Sequence, residues 1–156
     1  MSLLLALKAL HVVGACVLLG TGAGIAFFML MAHRTGKPAL IAHTAGVVVT
    51  ADMIFTASAV ILQPMTGAAL AHLSGFPVMS GWIGLSLILY AVTGLFWLPV
   101  LFIQVRLRDL AREAAASGAD LPATYHRLFR IWFACGFPAF AAVLGIIWLM
   151  ISKPAL

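Results

Sequence analysis

Charge is what this sequence has least of. Only 8% of its 156 residues are Asp, Glu, Lys or Arg, and only 4 of them are acidic. A soluble globular domain carries about 25% charged residues. With 64% hydrophobic residues the chain cannot cover itself with water-facing groups, so it reads as an integral membrane protein. Cysteine is also scarce. Cys16 and Cys135 both fall inside long apolar runs and are not spaced as a CxxC pair, which excludes a disulfide framework and a cysteine zinc site. They read as small packing side chains. A Gly-rich phosphate loop and a Ser/His/Asp set are absent too, so the templates of soluble enzymes do not apply. No internal repeat or low-complexity segment is evident.

What is present is four apolar runs, over about residues 3–32, 39–62, 81–104 and 125–151. Each exceeds the ~20 residues that cross a ~30 Å hydrocarbon core, so some tilt or protrusion is expected. Runs of this length are helices, because barrel strands are much shorter. The breaks carry punctuation: His33-Arg34-Thr35-Gly36-Lys37-Pro38, then Gln63-Pro64 with an uncharged connector from Met65 to Ser80, then Ser117-Gly118. Residues 68–73, which include His72, are expected to form a short interfacial helix within that connector. Arg106 to Glu113 is expected to extend the third helix into water. The fold class is an all-α membrane protein, a single domain over residues 1–156 with four transmembrane helices in an up-down-up-down bundle. The first run is too long for a signal-peptide core and contains Lys8, so it is expected to remain as a helix.

The net charge of +5 is placed for topology and not for nucleic acid. Seven of the 9 Lys and Arg residues (Arg34, Lys37, Arg106, Arg108, Arg112, Arg127 and Arg130) flank the first and third loops. The positive-inside rule therefore predicts both termini outside. Gly20 and Gly24 make a small-xxx-small pair suited to close helix approach. Pro99 and Pro138 are expected to kink their helices and free a carbonyl one turn earlier. Trp82, Trp97, Trp132 and Trp148 read mostly as interface anchors.

Ionisable groups inside such runs need a reason, since they are costly in hydrocarbon. His11 shares a helix face with Ala15, Leu18 and Gly22, which leaves room beneath its ring, and Lys8 lies less centrally on that face. Two readings stand. A flat ligand such as a porphyrin lies there with His11 as axial metal ligand and Lys8 on a propionate. Alternatively, His11 hydrogen-bonds a neighbouring helix while Lys8 reaches the headgroups. Asp52 is the one carboxylate at mid-depth, with Thr56, Ala59 and Gln63 continuing its face as a polar stripe. A lone charge there costs roughly 2.5–3.5 kcal/mol, so Asp52 is expected to be protonated or paired across the interior. It is the candidate catalytic residue as a proton-handling group, or else an interhelical hydrogen-bonding residue. His72 could complete a two-histidine haem site if the connector folds back towards His11, or belong to a lid. His33, His43 and His126 gather at the basic end without metal-ligand spacing.

Two resemblances attach to these residues. Lys8-Ala9-Leu10-His11, with the run ending at Ala32-His33, resembles the first helix of the HemJ-type protoporphyrinogen oxidases. Gly94-Leu95-Phe96-Trp97-Leu98-Pro99 to Gln104, Tyr125-His126-Arg127 to Pro138, and Asp52-Met53-Ile54-Phe55-Thr56 to Gly67 resemble an uncharacterised bacterial family of four-helix integral membrane proteins. Both groups look like relatives of the CopD-like membrane proteins. The HemJ-type resemblance implies that His11, and with it Lys8, lines a haem or porphyrin site. The late Leu-Pro-Arg of that pattern is replaced here by Phe28-Met29-Leu30-Met31, which counts against porphyrinogen oxidation more than against haem binding.

The expectation is therefore a multi-pass protein of the bacterial inner membrane. It would bind b-type haem (haem b) and act in redox chemistry with a quinone or another membrane protein as electron partner. The lipid bilayer surrounds it, a homo-oligomer is compatible with its small-residue faces, and nucleic acid is not a partner. From different classes, the alternatives are a small oligomeric transporter or channel using the Asp52 stripe, and an accessory subunit of a membrane complex.

Overall fold

The computed structural model describes residues 2–79 and 81–155. Four helices account for nearly all of them: α1 (Leu3–Arg34), α2 (Pro38–Leu73), α3 (Gly81–Ser117) and α4 (Ala123–Ser152). All four are long and apolar enough to cross a membrane. Short loops join α1 to α2 and α3 to α4, and Gly36 (φ 64°) and Gly118 (φ 66°) adopt there the left-handed conformation that glycine takes at no steric cost. Ser2 caps α1 by accepting from the Leu5 N–H, and Pro38 opens α2 at a position where its missing N–H costs nothing. The charged stretch after Gln104 is helical throughout and ends at Ser117, as the sequence predicts. The end of the bundle with these two loops is called the basic end below.

α2 departs from the sequence reading twice. Its helix does not stop at Pro64 but continues to Leu73, so residues 65–73 prolong the transmembrane helix. Proline inside a helix removes an N–H and leaves the carbonyl four residues earlier without its partner. That carbonyl belongs to Val60, and the Tyr90 hydroxyl of α3 donates to it. The break was legible as Gln63-Pro64, but its repair came from another helix. The connector is correspondingly shorter, and Ser80, its expected end, lies outside the described residues. The second departure is a π-helical turn over Asp52–Thr56, in which the Ala57 N–H reaches back five residues to the Asp52 carbonyl.

At the basic end all four helices close on one core. Met29 and Ala32 from α1, Ile41 and Val48 from α2, Leu107 and Leu110 from α3, and Tyr125, Phe129 and Trp132 from α4 pack together. His33 lies flat on Phe129, with ring centroids 3.7 Å apart, and its Nδ1 is 3.3 Å from the Tyr125 hydroxyl. His43 and His126 are exposed, and among the described residues no group of three or more His, Cys, Asp or Glu side chains could hold a metal ion. Large apolar residues such as Phe102 (77% exposed) and Trp148 (68%) face outward. This is the pattern of a protein solvated by lipid, where packing and internal polar contacts hold helices together in place of a water-driven hydrophobic effect.

Away from that core the bundle separates into two pairs. α1 packs on the second half of α2, and α3 packs on α4, where Gly145 lets the Leu89 side chain approach closely. Gly20 and Gly24 take no part in close helix approach, since a Cβ at Gly20 would meet nothing within 4 Å and one at Gly24 would meet only Phe28 of its own helix. The close contact lies instead at Gly14, where a Cβ would sit 2.3 Å from Gln63 Nε2.

Candidate functional site

One face of α2 organises the interior. Asp52, Thr56, Ala59, Gln63 and Thr66 recur at helical spacing and all are buried. The sequence reading stopped this stripe at Gln63, because it ended the helix there. Towards the terminal end the stripe meets α1. Gln63 Nε2 donates to the His11 carbonyl at 2.8 Å, and His11 Nδ1 lies 2.8 Å from Thr66 Oγ. Thr66 Oγ is also 2.8 Å from the Leu62 carbonyl, which can only accept. We therefore assign the Thr66 proton to Leu62 and the other bond to a His11 Nδ1–H donor, which leaves Nε2 with its lone pair. Gly67 provides the room: a Cβ there would be 3.3 Å from the His11 ring.

Towards the basic end the stripe meets α3. Gln104 Nε2 donates to Asp52 Oδ2 at 2.7 Å, and Trp97 Nε1 donates to Oδ1 at 3.4 Å. Asp52 is 3% exposed, and the expected partner across the interior is thus a neutral amide helped by an indole. Gln104 thus presents its amide nitrogen to Asp52 and turns Oε1 away from it.

Between these two meeting points lies a cavity of about 410 Å³, within the size range of small-molecule sites. Its wall is largely apolar. α1 contributes Ala15, Leu18 and Gly22, the small-residue face read beneath His11 in the sequence, although His11 itself is not part of the wall. α4 contributes Gly136, Phe137 and Phe140, α3 Tyr90, Thr93, Trp97 and Gln104, and α2 Asp52, Thr56 and Gln63. Three buried polar atoms on these lining residues make no hydrogen bond among the described residues: Thr56 Oγ, Gln104 Oε1 and Trp132 Nε1. Buried polar groups are normally paired, and each exception asks for a partner.

The sequence-derived candidates separate accordingly. Asp52 belongs to the cavity wall. His11 sits beyond it, held by Thr66 and Gln63. Lys8 is exposed, and His72 is exposed in the last turn of α2, about 9 Å beyond Thr66 along the axis, since helical rise is 1.5 Å per residue. Residues 65–73 thus continue α2 alongside α1, with Thr66 and Gly67 against His11, and do not form a separate segment that folds back to bring His72 to it. Sequence reasoning missed Gln104, which reads as the polar end of a span, and Trp132, which reads as an interface anchor. It also missed Tyr90. The available signal was a glutamine at the end of an apolar run, a residue with few good partners in lipid.

Four helices long and apolar enough to cross a membrane, packed around a largely apolar cavity, define a multi-pass α-helical membrane protein. The chain belongs to the family described as "Predicted integral membrane protein (DUF2269)", whose model matches residues 5–154. No curated protein and no solved structure matches it.

Proposed function

We propose that this protein holds a lipophilic, redox-active ligand inside the bilayer, in the cavity between the two helix pairs. The observation that supports this reading is a largely apolar cavity of about 410 Å³ with a few polar side chains, Asp52, Thr56, Gln63 and Gln104, in its wall. The basic loops fit an inner-membrane orientation with both termini outside, by the positive-inside rule. Extraction of protein purified in mild detergent with organic solvent, followed by mass spectrometry, tests the reading. A lipophilic compound that co-purifies with the wild type and is lost when Gly22→Phe fills the cavity is the expected result. Equal recovery from both proteins would overturn it.

A second reading has its own observation. A metal-ligating histidine usually donates its other ring nitrogen to a fixed acceptor, and His11 does so to Thr66. His11 fits one axial position of a b-type haem, with Lys8, exposed three residues earlier, on a propionate. His72 is exposed about 9 Å along the helix axis beyond Thr66, the residue His11 bonds, so it does not fit as the second ligand in this arrangement. Bound haem would supply one-electron chemistry, with a quinone or a membrane protein as its electron partner. An ultraviolet–visible spectrum decides this: a Soret band retained in wild type and lost in folded His11→Ala supports haem, and no band after haem supplementation sinks it.

A further inference from the structure

His43, Val47, Thr50 and Ile54 recur at i, i+4, i+7 and i+11, which puts them on one face of α2. Residues two apart lie about 200° around a helix, so this face is turned away from Asp52 and its stripe. An open groove of about 600 Å³ runs along it and shares no lining residue with the interior cavity. Most of the groove is apolar. Val47, Ile54 and Phe55 are exposed in it, and Thr50 donates its hydroxyl proton to the Gly46 carbonyl at 3.0 Å and so offers none to the groove. From His43 to Ile54 the face extends about 16 Å, close to half of the ~30 Å hydrocarbon core, the depth that one leaflet fills.

Only the end nearest the basic loops is polar. Arg112 of α3 reaches across to Gly46, where a Cβ would lie 3.5 Å from its Nη2, and His43 is one turn further towards the basic end on the same face. Both side chains are exposed, and neither makes a hydrogen bond or ion pair among the described residues. The neighbouring acids are already engaged: Asp109 accepts from Arg108 at 2.8 Å, and Glu113 is 3.9 Å from Arg106. Arg112 acts on the charge of Asp109 without pairing with it. We infer that this groove binds one anionic phospholipid, its phosphate on Arg112 and His43 and an acyl chain along Val47, Ile54 and Phe55. A guanidinium and an imidazole N–H both donate, and phosphate oxygens accept. The ammonium of a zwitterionic head would find no unpaired carboxylate in this groove, whereas a head of net negative charge needs none. A free phosphate would meet Arg112 and leave the apolar face uncovered. Basic pockets beside membrane helices at headgroup level take acidic lipid heads for these reasons.

The test is native mass spectrometry of the delipidated full chain in mild detergent, titrated with phosphatidylglycerol and with phosphatidylcholine of the same chains. The wild type is expected to take up one phosphatidylglycerol in preference to phosphatidylcholine. Arg112→Gln should weaken that uptake about fivefold, the scale for one cation near a headgroup surface. Val47→Trp keeps every charge but fills the groove, and should weaken uptake at least as much. Arg127→Gln alters an exposed cation at the same end outside the groove, and should leave uptake unchanged. Equal losses in the two arginine variants would mean diffuse attraction and overturn the inference, as would unchanged uptake in folded Val47→Trp. If Val47→Trp fails to fold, the two arginine variants still decide. Inorganic phosphate that displaces the lipid at equal concentration would assign Arg112 to a free anion. A dimer abolished by Val47→Trp would give the face to a second copy. Either result would overturn the phospholipid site.

Discussion

The Tyr90 hydroxyl donates to the Val60 carbonyl that Pro64 leaves without a helical partner. A proline in the middle of a transmembrane helix is tolerated because a neighbouring helix carries the missing donor. The bond also ties α2 to α3 beside the cavity, since Tyr90 and Val60 both belong to its wall.

Tyr90→Phe should therefore destabilise the protein by about 1 kcal/mol, the scale of an interhelical hydrogen bond in a membrane. Pro64→Ala restores the N–H at its source. The double variant should recover part of the loss, and a double-mutant cycle on unfolding in mixed micelles measures that coupling. Additive effects would show that the hydroxyl does not serve the carbonyl.

At Gly14 the expectation concerns the terminal end of the stripe. A methyl group there would displace the Gln63 amide and with it the bond to the His11 carbonyl. Gly14→Ala and Gln63→Ala should each cost about 1 kcal/mol, and the pair should cost little more than either alone. Chemical denaturation of the three variants checks this.

The basic-end core gives the largest expected losses. Ile41 and Leu107 are fully buried there. Truncating either to Ala should cost about 2–5 kcal/mol through the cavity left behind. Phe102→Ala, on a side chain 77% exposed, should change stability by less than about 0.5 kcal/mol. Similar losses at all three positions would mean that α3 is buried on a face other than the one described.

Orientation is open to a direct chemical test. In a Cys16→Ala, Cys135→Ala background, single cysteines at the exposed positions Thr35, Ala119 and Phe76 can be labelled with a membrane-impermeant maleimide on intact cells. Phe76→Cys should react at once, and Thr35→Cys and Ala119→Cys only after permeabilisation. The reverse pattern would place the basic loops outside.

The sequence by itself determined the four apolar helices, the two glycine-marked turns at the basic end and the buried face of Asp52, Thr56, Ala59 and Gln63. These follow from local physics: apolar length, turn conformations and helical period are properties of neighbouring residues. The tertiary structure decided the rest. Pro64 reads locally as a stop and becomes an interior residue only because Tyr90 caps Val60. Gln104 and Trp132 read locally as span-end residues, and become interior polar groups because four helices converge at the basic end and separate above it. His11 reads locally either as a haem ligand or as a hydrogen-bonding residue to a neighbouring helix, and Asp52 as a proton-handling or interhelical hydrogen-bonding group; the packing of α1 on α2 gives His11 to Thr66 and leaves Asp52 at the cavity. A single chain segment records which side chains need a partner; which partner they find depends on contacts between segments far apart in sequence.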